Sequence, residues 1–427
     1  MAARTCDPLR HDGACYRAAV QPWYSEALSR TDVAARTNGR ITNKQLDMLS
    51  GHGLMTLGHF LQSAFSGLKA RDTMVAGRDK RLSAALIDSG GYQISTGAEK
   101  YSERTMFDLL RYSEQFEAAP ILDGPTSSIF NPKSFLRNVR ECFDFTVENA
   151  RYAISNRIPG KTRLLNVIQG LSFEQAIDWF EAVKFLNDPC SFGARALEDW
   201  AFAGATRTYF SLVLTLLVMM RDQALILPGA RLHFLGVGHP EIGCGLTAIQ
   251  DGLRATVDEA ILVSFDTATP FLLAGRFKRG FGTPSLTRES LYVPVVKMPV
   301  AASFVGSTAS WKMSSPFADR LTLGDLNFHA SGRKTSWDDM SHAVLAAHNV
   351  WALSYAVAEA NRRLRLPVGE ALAVLPSRLI ELTELVREIL HAEKPMSLIR
   401  QHRPLLDSLA HKSRNTRLVN DPTGFDR

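Results

Sequence analysis

Six short apolar runs, each closing on a polar or glycine-bearing turn, set the character of the middle of the chain. They cover residues 84–88, 119–123, 164–169, 200–204, 232–236 and 260–266. Their apolarity is near-continuous rather than alternating, as expected of parallel strands covered on both faces. Most are followed by a helical stretch. Residues 102–117 follow Ser102, and residues 133–155 carry Phe135, Val139, Phe143 and Val147 at helical spacing. Residues 173–187 follow a capping box of Ser172 and Gln175. Residues 207–223 come next, and residues 240–255 open with Pro240 at a first helical position. Repeated strand–helix units of this kind fold as a doubly wound sheet or as a barrel.

Beyond about residue 285 the pattern changes. Residues 290–330 are irregular and rich in Ser, Thr and Pro. A long helix is expected over 337–365, opened by Ser336-x-x-Asp339 and stopped before Pro367, with further helix over 369–412. A basic tail carries Arg400, Arg403, Lys412, Arg414 and Arg417. The expected organisation is an N-terminal segment, 1–70, packing on a barrel over 71–335. A helical C-terminal part, 336–427, completes the domain.

Hydrophobic residues make up 45% of the 427, enough for a sizeable core. Lys and Arg exceed Asp and Glu by 49 to 43, a mild excess compatible with a polyanionic partner. The cysteines (Cys6, Cys15, Cys142, Cys190, Cys244) are odd in number and scattered, which argues against a disulfide framework. The apolar run around Tyr209–Met220 falls short of the ~20 residues a membrane span needs and reads as a buried helix. The opening residues lack the apolar stretch of a signal peptide, so a cytoplasmic, membrane-free location is expected.

In a (β/α)8 barrel the strands' C-terminal ends build the active site. Here those ends supply Asp88, Asp123, Gln169, Gly204, Gly236 and Asp266. One strand-end Asp is more often a cap or turn residue. Three on one rim weaken that reading, though composition alone names no reaction.

The local sequences go further. Asp88-Ser-Gly-Gly-Tyr-Gln93 resembles the signature of the tRNA-guanine transglycosylase superfamily. Val167-Ile-Gln-Gly170, Phe202-Ala-Gly204, Leu235-Gly-Val-Gly-His-Pro-Glu241 and Ser264-Phe-Asp-Thr-Ala-Thr-Pro270 resemble four further family segments, in the family's order. A weaker echo lies at Ala347-His-Asn349. The resemblance spans about residues 80–285 and implies a (β/α)8 barrel. It also implies a nucleophile, Asp266, that attacks C1′ of the target nucleoside, and a second carboxylate, Asp88, that manages protons on the departing and incoming bases. Asp123 and Gln169, helped by the backbone at Gly204, would read the purine edge; Ser89, Gly170 and Gly236 would also bind the substrate. Tyr92 and Leu235 would sandwich the ring. The target base must leave its stack to reach such a pocket.

Two departures from the family stand out. The tRNA enzymes carry a cysteine-rich zinc motif after the nucleophile, and this chain has no cysteine beyond Cys244, so no metal or other cofactor is expected. His233, His239 and Cys244 fit no common zinc spacing and read as strand, turn and helix residues. His329, His342 and His348 read as surface or helix-packing residues. The arginine-bearing segment that engages tRNA is also replaced, by Pro270-Phe-Leu-Leu-Ala-Gly-Arg276-Phe-Lys-Arg-Gly280. Together these point to the superfamily's DNA-directed branch, which inserts a 7-deazaguanine such as 7-cyano-7-deazaguanine into DNA. Arg276, Lys278 and Arg279 would then be phosphate contacts, and helper proteins that open the duplex are a possible partner. The rival expectations are a divergent enzyme acting on tRNA, a non-catalytic nucleic-acid-binding subunit, and an unrelated barrel enzyme.

Overall fold

The computed structural model describes Leu9 and residues 11–69, 73–329 and 335–410. Eight parallel strands close in chain order into a barrel. They are β1 (Cys15–Val20), β2 (His59–Ser63), β3 (Ala84–Asp88), β4 (Ala118–Pro120), β5 (Arg163–Ile168), β6 (Asp199–Phe202), β7 (Arg231–Phe234) and β8 (Leu262–Thr267). Closure is made by β1 on β8, in register from Cys15↔Ser264 to Ala18↔Thr267. The fold is therefore the (β/α)8 barrel, and the doubly wound sheet is excluded.

The expected boundary at residue 71 does not hold. Residues 15–63 do not pack on the barrel from outside; they supply its first two strands. Polar residues mask both strands. Arg17 sits in the centre of β1, only 3% exposed, its guanidinium bonded to the carbonyls of Phe60 and Ala84 inside the barrel. In β2, Gln62 is fully buried and accepts from the Tyr112 hydroxyl at 2.9 Å. A buried polar group is tolerated when it is hydrogen-bonded, but its residue type breaks the apolar run.

The helices flanking the barrel lie close to the expected spans, with shifted ends. Helix Glu103–Ser113 stops early, and Val139–Asn156 starts late, because Asn138 caps it through Glu141 N. Residues 133–138 are instead a loop tied to the β3 side by Phe135 N on Ser95 O. Ser172 caps Phe173–Val183 as expected, while Gln175 reaches back to Leu171 N. Helix Phe210–Asp222 is buried almost throughout, and Pro240 opens helix Pro240–Thr256.

The C-terminal part completes the domain. The long helix Asp339–Leu364 and the helix Ser377–His391 both pack on Pro240–Thr256, which in turn covers β8. The long helix is capped by Asp338, whose carboxylate accepts from Ser341 N at 2.9 Å. Ser336, the expected cap, instead bonds Val300 O and Asn327. Among the described residues no helix is long and apolar enough to cross a membrane.

Candidate active site

Barrel geometry brings the last residues of β3, β5 and β8, and the turns after β4, β6 and β7, to one mouth. Asp266 lies on β8, 7% exposed. Its Oδ1 accepts from the Gly236 backbone N–H at 2.9 Å and sits 3.2 Å from His233 Nε2. No hydrogen bond from the described residues reaches its Oδ2.

The sequence reading missed His233. The residue is fully buried, and its Nδ1 lies 3.0 Å from Ser264 Oγ. Burial, the dominant influence, lowers its pKa, so the ring is neutral at pH 7. A carboxylate only accepts, so the network assigns the proton to Nε2, with Nδ1 accepting from Ser264. The signal lies in the register of β7 on β8, which the local sequence does not show. His233 pairs with Ser264, two residues before Asp266, and so shares its side of the sheet.

Asp88 ends β3 and keeps an exposed edge. Burial first, then the charges of Asp123 and Asp266, push its carboxyl up to about 7, against backbone hydrogen bonds from Gly90 and Ser89. The charges of Asp123 and Asp266 thus both act on Asp88. Asp123 is 6% exposed and raised to about 6 by burial, partly offset by Gln169. The Gln169 amide donates to Asp123 Oδ2 at 2.5 Å, while its carbonyl accepts from Thr126.

Two glycines explain how the loops close around these groups. A Cβ on Gly91 would stand 2.1 Å from the Asp123 carbonyl oxygen, so the turn after β3 reaches Asp123 only without a side chain. Gly204 has φ +59°, and a Cβ there would meet Gly170 O at 2.5 Å. The Gly170 and Gly204 turns thus lie against each other, tied by Ala205 N on Gly170 O at 2.9 Å.

The remaining expected residues divide. Tyr92 stands 49% exposed on the rim, its hydroxyl accepting from Asn131 at 3.2 Å, and Leu235 is partly buried after β7. Tyr92 lies in the short helix Gly91–Ser95 after β3, and Leu235 on the turn after β7. Ser89 does not join the carboxylates through its side chain. Ser89, just past the end of β3, lines a 40 Å³ cavity with Met106, Ser113 and Tyr152, its Oγ buried without a partner. Its backbone N–H alone serves the site, at Asp88. Arg207, also not singled out, passes beside Gly236: its Nη1 lies 2.9 Å from where a Cβ there would be.

Arg276, Lys278 and Arg279 follow β8, set apart from the carboxylates. Arg276 and Arg279 both stack on the half-exposed Phe277 ring, at 5.4 and 5.8 Å. The segment is fixed by Asn349 of the long helix, which bonds Pro270 O, Arg279 O and Phe281 N. Of the tail, Arg400 and Arg403 are exposed, while Lys412, Arg414 and Arg417 lie outside the described residues.

Among the described residues no group of His, Cys, Asp or Glu is arranged to hold a metal ion. His239 caps helix Pro240–Thr256 through Glu241 N, and Cys244 is buried in that helix. His348 is buried and bonds Phe281 O and Ser315. No known protein family and no curated protein matches the chain. Among solved structures, HMG-CoA lyase of Bacillus subtilis is similar at 15% identity and a TM-score of 0.29, covering 60% of this chain and 76% of that one. At that level the likeness carries no argument about reaction or substrate, and the barrel rests on its own strand pairing.

Proposed function

We propose that this protein is a transglycosylase that exchanges guanine in DNA for a 7-deazaguanine, with 7-cyano-7-deazaguanine as the expected base. The observation that carries the proposal is the pairing of unlike carboxylates in one mouth. Asp266 is held on one oxygen by Gly236 and His233 with the other unengaged, while Asp88 is held near neutrality by burial and by its neighbours' charge. One carboxyl with an unengaged oxygen and a second able to carry a proton suit a double displacement at a sugar carbon.

Asp266 Oδ2 attacks C1′ as the bond from C1′ to N9 of guanine breaks, leaving a glycosyl ester on the enzyme. The proton needed by the departing base comes from Asp88. The incoming 7-deazaguanine, deprotonated at N9 by Asp88, then attacks C1′ and releases Asp266. Asp123 suits guanine because N1–H and the 2-amino group are adjacent donors, and Gln169 holds that carboxylate in place. Arg276, Lys278, Arg279 and Arg207 serve as phosphate contacts.

The test is incubation of the purified protein with duplex or single-stranded DNA, or with tRNA, and labelled 7-cyano-7-deazaguanine. Label should enter DNA. Label in tRNA alone would replace the substrate, and label in neither would remove the proposed activity.

A further inference from the structure

The barrel's opposite, N-terminal end holds a second recess, of about 650 Å³, where β1 and β2 begin. His11, Cys15, Tyr16, His59 and Arg81 line it, together with Ser354 from the long C-terminal helix. Four of these side chains end in buried polar atoms that meet no hydrogen-bond partner among the described residues: His11 Nδ1, Tyr16 Oη, His59 Nδ1 and Ser354 Oγ. Tyr16 and Ser354 are only 8% and 9% exposed. Buried polar atoms are nearly always paired, so four orphans around one recess call for a partner that supplies the missing bonds. The volume suits a small organic molecule.

The surroundings set the sign of that partner's charge. Among the described residues no carboxylate lines the recess. Arg81, tied to Asp79, borders it. Beneath it Arg17 is buried with its Nε unpartnered and, among the described residues, without an ion pair. Burial first, then Arg17, Arg231 and His11, lowers His59 to about 3; burial first, then Arg362 and Arg365 against Asp12, lowers His11 to about 4. Positive potential therefore reaches both imidazoles, and the hydroxyls and ring N–H groups are available as donors.

We propose that this recess is a second ligand site, taking a small anion that bears a phosphate or carboxylate. The hydroxyls of Tyr16 and Ser354 and the imidazoles of His11 and His59 hold it. The site lies at the far end of the barrel from the carboxylate mouth and does not depend on the proposed base exchange.

Isothermal titration calorimetry on the full chain tests it, with inorganic phosphate and succinate as probes and with chloride at matched ionic strength and glycerol as controls. Saturable binding of either probe is expected, and which one binds distinguishes phosphate from carboxylate recognition. Tyr16→Phe and Ser354→Ala should each weaken binding about tenfold, the loss of one hydrogen bond to a charged group, with circular dichroism unchanged. Heat no greater than with chloride, equal binding of glycerol, or affinity untouched in both folded variants would overturn the proposal and leave a hydrated recess only. Because the readout is binding, a protein inactive in base exchange that still binds phosphate supports this site and removes only the exchange activity.

Discussion

The imidazole of His233 bridges Asp266 and Ser264, with Nε2 3.2 Å from the carboxylate and Nδ1 3.0 Å from the hydroxyl. A neutral ring held from both ends fixes the rotamer of Asp266, the proposed nucleophile. His233→Ala should lower the rate of base exchange about ten- to hundredfold, the worth of one hydrogen bond to a carboxylate. The loss should fall on kcat rather than on KM for the incoming base, and His233→Gln should restore part of it. Steady-state kinetics of the three proteins check this; equal losses in kcat and KM would assign His233 a merely structural role.

In the proposed exchange Asp88 would set a pH limit. With its carboxyl raised to about 7, the proton for departing guanine is lost as pH climbs through that value. The rate of the first half-reaction should fall above about pH 7 in single-turnover profiles. Stability follows the same direction. The folded pKa lies above the unfolded value of 3.8, so the contribution to stability is complete below pH 3.8 and lost as pH rises to about 7. Asp88→Asn should therefore raise Tm relative to wild type at pH 8 and not at pH 4, while abolishing exchange. Calorimetric scans at the two pH values test the trade between stability and function.

Asp123 and Gln169 are joined at 2.5 Å, and in the proposed exchange they would read the base as one unit. Asp123→Asn replaces an acceptor by a group with donors of its own and leaves guanine's N1–H facing a mismatch. kcat/KM for the base should drop by about a hundredfold or more, because an unpaired buried polar group penalises the complex strongly. Gln169→Ala should weaken it less, since Asp123 remains. Competition between guanine and adenine for release from DNA measures the selectivity directly.

Gly204 tests the loop architecture. An alanine would be forced to φ +59° with its Cβ 2.5 Å from Gly170 O. Gly204→Ala should cost about 1–3 kcal/mol, read by chemical denaturation, whereas Gly160→Ala, on an open turn with φ +77° and no atom within 4 Å, should suffer the backbone strain alone.

The sequence makes six of the eight strands legible because each is a run of apolar residues uninterrupted by charge. β1 escapes because Arg17 sits at its middle, and a buried arginine that solvates itself on strand carbonyls cannot be told locally from an exposed one. Asp88, Asp123, Gln169 and Asp266 could be found because each sits at or just past the end of such a run. His233 could not, since its partner is 33 residues away and is brought to it by the pairing of β7 with β8. Ser89 misleads for the reverse reason. It is adjacent to Asp88 in sequence, but its side chain lines the separate 40 Å³ cavity instead.

The most direct test of the nucleophile is trapping the glycosyl-enzyme. Protein incubated with a guanine-containing DNA oligonucleotide and no incoming base, then quenched in acid and digested, should yield a peptide carrying a deoxyribosyl adduct on Asp266, by mass spectrometry. Asp266→Ala should give none. An adduct on another residue, or one that survives Asp266→Ala, contradicts the assignment.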